Sequence, residues 1–349
     1  RQLVNFVAGR EPLAVTRLVA DFQSGNRSRR LEVRLIQENG TGAGTTPRLC
    51  KEILLDGVKR SNHEAMGAFT AVIFLPQMTR IIEGGPEERR RYLNLALAQT
   101  IPGYSQILSE YGQALTQRNA LLKQLFERGG DPDQLVYWDT LLADRGSQIL
   151  RARIAAVQEL EQLAARIHHR LTNTSEILRL VYQPAYDPVP QPEGQFGLPM
   201  DVPVNRSGFS LERIRQGYMQ RLAELHREEI ARGVTTIGPH RDELRLLSNG
   251  IDLGNFGSRG QVRTALLALK LAEVTWIKNH TNEWPVLLLD EILAELDGQR
   301  RVDMQGFLTE YEQTILTTTD LGLFDPAFVE QGTVWQVEQG FVRVPDAAN

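Results

Sequence analysis

The chain has 349 residues, enough for two or three domains, and its 42% hydrophobic and 23% charged content is that of an ordinary globular protein. A net charge of −4 offers no global attraction for nucleic acid, so any such face must be a local patch, and one cysteine, Cys50, excludes a disulfide framework or a cysteine-based metal site and suits a reducing cytosol. No apolar run approaches the roughly 18 residues of a membrane span and no signal peptide is evident, so a cytoplasmic protein without a membrane partner is expected.

Residues 1 to about 87 read as strands and turns. Leu31, Val33 and Leu35 alternate with neighbours that are mostly charged, and Ile53 to Leu55 lead into Asp56-Gly57, a type I′ turn signal. The G-T-G-A-G-T-T run at 40–46 lacks a lysine at phosphate-loop spacing and is expected to be a hairpin loop. A further apolar run, 71–75, ends at Pro76-Gln77.

Gly84-Gly85-Pro86-Glu87-Glu88 is a strong helix start, with proline at the first helical position and acids in the first turn. From there to about Arg232 three-four spacing dominates, as in Tyr104, Leu108, Tyr111, Leu115 and Leu122, then Leu150, Ile154, Val157, Leu160, Ala164, Ile167 and Leu171. Long amphipathic helices of this kind predict an antiparallel helical arm. The proline-rich stretch 184–203 must interrupt it. After the arm, Gly238-Pro239-His240-Arg241-Asp242 returns the chain to a second body, in which 314–317 reads as a strand and 334–344 as a hairpin about Gln339-Gly340.

The chemistry concentrates in 256–297. Val286, Leu287, Leu288 and Leu289 form a continuous aliphatic run, which predicts a strand buried on both faces of a parallel sheet and delivering Asp290 and Glu291 at its carboxyl end. Adjacent acids there divide labour in nucleotide hydrolysis: the first holds Mg²⁺, usually through water, and the second orients and deprotonates the attacking water. A buried strand also ends in acids at ordinary turns, so the flanks decide. Upstream, Ser258-Arg259-Gly260-Gln261 opens a helix-length segment whose first N–H groups would face an anion. Downstream, Leu293-Ala294-Glu295-Leu296-Asp297 follows at once. Together the three stretches resemble the signature, Walker B and D-loop of ABC-type ATPase heads.

Further stretches narrow the resemblance to the RecF family, whose members are recombination mediators with an SMC-like head. They are Phe74-Leu75-Pro76 with the G-x-P-x-x-R-R block from Gly84 to Leu93, Gln117-Arg118-Asn119-Ala120-Leu121-Leu122-Lys123, and Gly238-Pro239-His240-Arg241-Asp242. The chain differs from the family pattern at Asn94, at Gln77-Met78 and at Glu291, where the pattern has Asp, often acids, and Asp. No G-x-x-x-x-G-K-[ST] run stands in these residues; in the family it lies near the amino terminus, and the chain opens on Arg1, so the expectation is that this loop belongs upstream and that the 349 residues bind ATP weakly at most.

The resemblance implies an α/β ABC/SMC-type head made of two separated parts, 1–87 and 232–349, with a helical arm inserted at 88–231. It implies ATP and Mg²⁺ as ligands and an ATP-dependent homodimer, in which Ser258, Gly260, Gln261 and Arg263 meet the nucleotide held by the partner subunit. Asp290 would serve Mg²⁺ through water, Glu291 would be the catalytic base, Asp297 would lie at the dimer interface, and Gln77 would occupy the Q-loop. It further implies weak ATPase activity, binding of double-stranded and gapped DNA, RecO and RecR as partners, and loading of RecA. A non-enzymatic scaffold that has lost its nucleotide site is the alternative; another SMC-like ATPase is less favoured because the arm is short. Thr317 to Asp320 reads as a further γ-phosphate contact or an ordinary strand end. The clusters Arg27, Arg29, Arg30 and Arg89, Arg90, Arg91 read as phosphate contacts or solvated faces, and His240 as a structural histidine rather than a metal ligand.

Overall fold

The computed structural model describes residues 13–38, 48–189 and 204–343. The 40–46 run therefore lies outside the described residues, as do 190–203 of the proline-rich stretch and Val344.

The first part is an antiparallel meander of β1 (Leu13–Ser24), β2 (Arg27–Glu38), β3 (Arg48–Leu55) and β4 (Val58–Arg60). Asp56 and Gly57 link β3 to β4 with φ of 54° and 79°, the doubly left-handed geometry of the expected type I′ turn. A short helix α1 (Asn62–Ala65), capped by Ser61, leads to β5 (Ala71–Phe74). After α2 (Arg80–Glu83) comes α3 (Pro86–Thr100), which starts at Pro86 with Glu87 and Glu88 in its first turn. Pro86 surrenders an N–H that the first turn leaves unpaired in any case.

The helical interval contains α4 (Tyr104–Arg128) and α5 (Leu135–Leu171), of 25 and 37 residues, packed side by side. Strand β6 (Leu178–Gln183) follows, then α6 (Leu211–Glu224) and α7 (His226–Arg232). Helical periodicity did not disclose β6, because its partner is remote: it pairs antiparallel with β7 (Glu243–Ser248), which pairs in turn with β8 (Ile251–Asp252). The helical interval and the last third of the chain thus share a sheet.

After α8 (Leu253–Phe256), α9 (Arg259–Thr281) leads to β9 (Val286–Asp290); then come α10 (Gly298–Leu308), β10 (Thr314–Thr317), α11 (Pro326–Val329) and the hairpin β11 (Gln336–Glu338) and β12 (Phe341–Arg343), turning on Gln339 and Gly340 at φ 50° and 84°. The central sheet is parallel, in the order β10-β9-β5. Strand β9 is buried on one face only: Leu287 and Leu289 are at most 2% exposed, whereas Val286 and Leu288 are half-buried. That corrects the expectation of burial on both faces. The aliphatic run reflects the strand's central place more than a covering layer on its second side.

Helix α9 is the pivot of the core. From Ala265 to Val274 every residue is 3% exposed or less, because α5, α3 and β5 pack around it. Apart from the Lys270–Glu273 ion pair, at 2.5 Å, this stretch is apolar on every side, as suits a helix inside a protein, and the helix carries the S-x-G-Q stretch at its first turn. One hydrophobic cluster runs from Val72 on β5 through α5 to Leu308 on α10.

Candidate functional site

The parallel register sets Asp290 beside Thr317 at the carboxyl edge of the sheet, and the chain leaving β5 on the other side brings exposed Gln77 to the same edge within the Pro76–Thr79 turn. The Thr317 hydroxyl donates to Asp290 Oδ1. A carboxylate offers about four lone-pair sites, so this one bond fixes the group and leaves most of its acceptor capacity open. Glu291 is next, with φ 51° and ψ 23°. For a residue with a Cβ this left-handed conformation costs about 1–3 kcal/mol. Its N–H donates to the Thr317 carbonyl at 3.3 Å, which holds the bend. The effect is to turn the second acid away from the line of β9 at a half-buried position.

Ser258 caps α9 with a full capping box. Its hydroxyl accepts from Gln261 N–H at 3.3 Å, and Gln261 Oε1 accepts from Ser258 N–H at 3.1 Å. The first N–H groups of the helix, those of Arg259 and Gly260, have no partner in the preceding turn. Gly260 is exposed, and a Cβ built there would meet only Arg300 Nη1, at 3.9 Å. Beyond its own stretch of helix, no other heavy atom among the described residues lies within 4 Å of that position, so the space beside the helix start is open. Asp297 caps α10 by accepting from Arg300 N–H at 3.0 Å, and Arg300 Nε donates to the Leu171 carbonyl at 3.3 Å. Arg263 stands half-buried one turn along α9 and is engaged with a partner. Gln261 Nε2 donates to Glu176 Oε1 at 3.3 Å.

The expected residues therefore form two groups. Asp290, Glu291 and Gln77 share the sheet edge with Thr317, while Ser258, Gly260, Gln261 and Asp297 lie about Arg300 where α9 and α10 begin, with Arg263 one turn further along α9. Sequence reasoning missed Arg300, whose only signal is its place three residues after a capping aspartate, and Glu176, which has none. Among the described residues no cluster of three or more His, Cys, Asp or Glu could hold a metal ion.

No protein-family model matches the chain. The DNA replication and repair protein RecF of Herpetosiphon aurantiacus is 38% identical over 315 residues, spanning 89% of this chain and 76% of the relative. That of Roseiflexus castenholzii is 36% identical over 352 residues, spanning 97% and 84%. The chain belongs to the RecF family. Among solved structures, the recombination mediator RecF–ATP of the RecFOR pathway is 26% identical, with a TM-score of 0.71 over 96% of this chain and 82% of that one. The fold is accordingly the mixed α/β, ABC/SMC-type ATPase head of that family, and its role lies in DNA replication and repair.

The remaining RecF-like motifs are staples. Arg118 of the Q-R-N stretch, fully buried, donates to Asp139 at 2.6 Å, to Glu229 at 2.6 Å and to Thr235 at 2.9 Å. Asp242 of G-P-H-R-D accepts from Arg153 at 2.7 Å and from the Tyr182 hydroxyl, and Asn94 Oδ1 accepts from Arg153 Nη2 at 2.9 Å. The amide at 94 thus serves a cation without a charge of its own. Arg89 is bidentate to Glu243 at 2.6 and 2.7 Å and donates to the carbonyls of Ile82 and Gly84, and Arg90 donates to the Asp242 carbonyl. The Arg89 guanidinium is committed within the protein, which removes it as a phosphate contact; Arg90 is half-buried with one bond to a carbonyl, and Arg91 is exposed. Arg29 and Arg30 pair with Asp56 and Asp21 on the meander. His240 Nε2 faces the Thr235 carbonyl at 3.3 Å, so it carries the proton and Nδ1 accepts from the Tyr111 hydroxyl at 2.7 Å. Burial lowers its pKa to about 4, which keeps the ring neutral and structural.

Proposed function

We propose that this chain works as an ATP-controlled recombination mediator that dimerises around nucleotide, binds duplex DNA at gaps and junctions and, with RecO and RecR, promotes loading of RecA. One observation carries the reading: two acids stand at the open edge of a parallel sheet, the first steadied by Thr317 and the second turned by a left-handed backbone, in a chain of the RecF family. In this reading Ser258, the N–H of Gly260 and Gln261 meet the γ-phosphate of ATP bound to the partner subunit, with Arg263 beside them, and Asp297 lines the interface. Glu291 orients and deprotonates the attacking water, which costs little motion because its backbone is already bent toward the edge.

Asp290 would hold Mg²⁺. A single hard carboxylate, half-buried and hydrogen-bonded to a hydroxyl, fits an ion that keeps most of its waters and takes further oxygens from phosphates. Bound there, Mg²⁺ would neutralise charge on the phosphates. Gln77, at the same edge, is placed to contact the ion's waters. Contacts to DNA would be to phosphates and therefore sensitive to salt.

The test is sedimentation of the full-length protein with Mg²⁺ and a non-hydrolysable ATP analogue. Ser258→Arg should leave ATP binding by the monomer intact and abolish the analogue-induced dimer, because the signature acts across the interface. A normal dimer would overturn the assignment and favour a scaffold that binds DNA and partners without nucleotide.

A further inference from the structure

We infer that Glu176 is a positioning residue for Gln261 and makes the end of the arm helix α5 part of the signature's support. The inference rests on the reading of 258–261 as a surface that meets nucleotide across a dimer interface. Glu176 lies in the short connection between α5 and β6, and both its carboxylate oxygens are used: Oε1 accepts from Gln261 Nε2 at 3.3 Å and Oε2 from the Ser248 hydroxyl at 2.7 Å. Gln261 has its own Oε1 on the Ser258 N–H, so Glu176 takes hold of the other end of the same amide and sets which way it faces. Without that acceptor the amide could turn over or swing out, and the capping box that shapes the Ser258–Gly260 backbone would lose its reciprocal half.

The connection itself is braced. His168, on the last turn of α5, is fully buried, has neither ring nitrogen hydrogen-bonded and sets Nε2 3.8 Å from Glu176 Oε2. Asn173 and Thr174 hold φ of 48° and 65°, which bends the chain so that residue 176 comes back under β7 and the start of α9. Three residues after His168, the Leu171 carbonyl accepts from Arg300, whose helix is capped by Asp297. The end of α5 thus reaches the support of both stretches proposed to lie at the dimer interface, through Glu176 on one side and Leu171 on the other.

Glu176→Ala removes the acceptor. Glu176→Gln keeps it, because the glutamine oxygen can serve Gln261 while its NH₂ donates to Ser248, whose hydroxyl also accepts. Loss of the acceptor leaves the Gln261 amide unheld, so Glu176→Ala in the full-length protein should weaken the analogue-induced dimer at least about tenfold, the low end for losing a group that orients a ligand-binding residue. Monomer affinity for ATP should stay within about twofold, and Glu176→Gln should restore the dimer to within about threefold. A thermal melt of each variant accompanies the titration. An equal loss of monomer ATP binding, or no rescue by glutamine, would mean general damage and overturn the inference. If Ser258→Arg abolishes the dimer while Glu176→Ala leaves it at the parent's affinity, the inference fails alone. If Ser258→Arg also dimerises, the reading on which it rests falls with it.

Discussion

The polar motifs of this chain behave in two opposite ways. Where α4 and α5 meet α7 and the 238–242 stretch, Arg118, Asp139, Glu229, Arg153 and Asp242 are 2% exposed or less and are tied into networks of charge-assisted hydrogen bonds. At the sheet edge and the start of α9, Ser258, Gly260, Asp290, Glu291 and Asp297 are half-buried or exposed, and their polar groups keep capacity to spare. Arg118 and Asp242 of the first set, like the whole of the second, belong to stretches that resemble the RecF pattern, so likeness to a motif does not distinguish a staple from a working group. Burial with charge pairing does, even though Arg118 Nη2 and Arg153 Nε have no hydrogen-bond partner among the described residues: a buried charge is tolerated only with a counter-charge in place, whereas a group that receives a ligand must have something left to give.

The contrast predicts where mutation costs stability and where it costs only activity. Arg153→Leu leaves Asp242 charged, buried and short of its cation, and should lower unfolding free energy by about 3–5 kcal/mol in urea titrations; a loss under about 1 kcal/mol would move Arg153 out of the structural set. Gly238→Ala comes next. Gly238 has φ +119°, and a Cβ there would lie 2.0 Å from the Tyr218 hydroxyl and 2.6 Å from that of Tyr111, so the cost should be about 1–3 kcal/mol and should include loss of the Tyr111–His240 bond.

His240 sharpens the comparison through pH. Its folded pKa is lowered to about 4 from 6.5, first by burial. Between those values the unfolded chain binds the extra proton, so this part of the stability is present above pH 6.5 and drains away as pH falls toward 4. Burial lowers the pKa of His168 too, and it acts in the same direction. His240→Gln should flatten the acid limb of a stability–pH curve, with the slope from His168 left behind; an unchanged limb would show that His240 titrates normally. The smallest effect is a gain. Glu291→Gly relieves a left-handed glutamate and should change stability by between zero and about +1 kcal/mol while hydrolysis disappears, the reverse of what a staple would do.

The sequence disclosed the elements whose signals are local. Pro86 with its acids marked α3, Asp56-Gly57 marked the β3–β4 turn, and the aliphatic run placed Asp290 and Glu291 at the end of a parallel strand. Non-local facts were out of reach. β6 pairs with a strand about 65 residues away, across two helices, and its six residues carry no turn signature. β1 lacks clean alternation, because Leu18, Val19 and Ala20 stand in a row. Whether Arg89 and Arg90 faced solvent or an acceptor depended on the Glu243 carboxylate and the Asp242 main-chain carbonyl, which arrive from a distant part of the sequence. The acids of the candidate site were legible, but Glu176, Arg300 and the hydroxyl of Thr317 that supports Asp290 are set by tertiary packing alone.

Steady-state ATP hydrolysis by the full-length protein with Glu291→Gln, set beside its melting temperature, tests the central claim most directly. Binding of ATP and the melting temperature should stay near the parent's while turnover falls by about two orders of magnitude or more, the range expected for losing a general base. Turnover equal to the parent's would remove Glu291 from the chemistry. A large drop in melting temperature would place it among the staples instead.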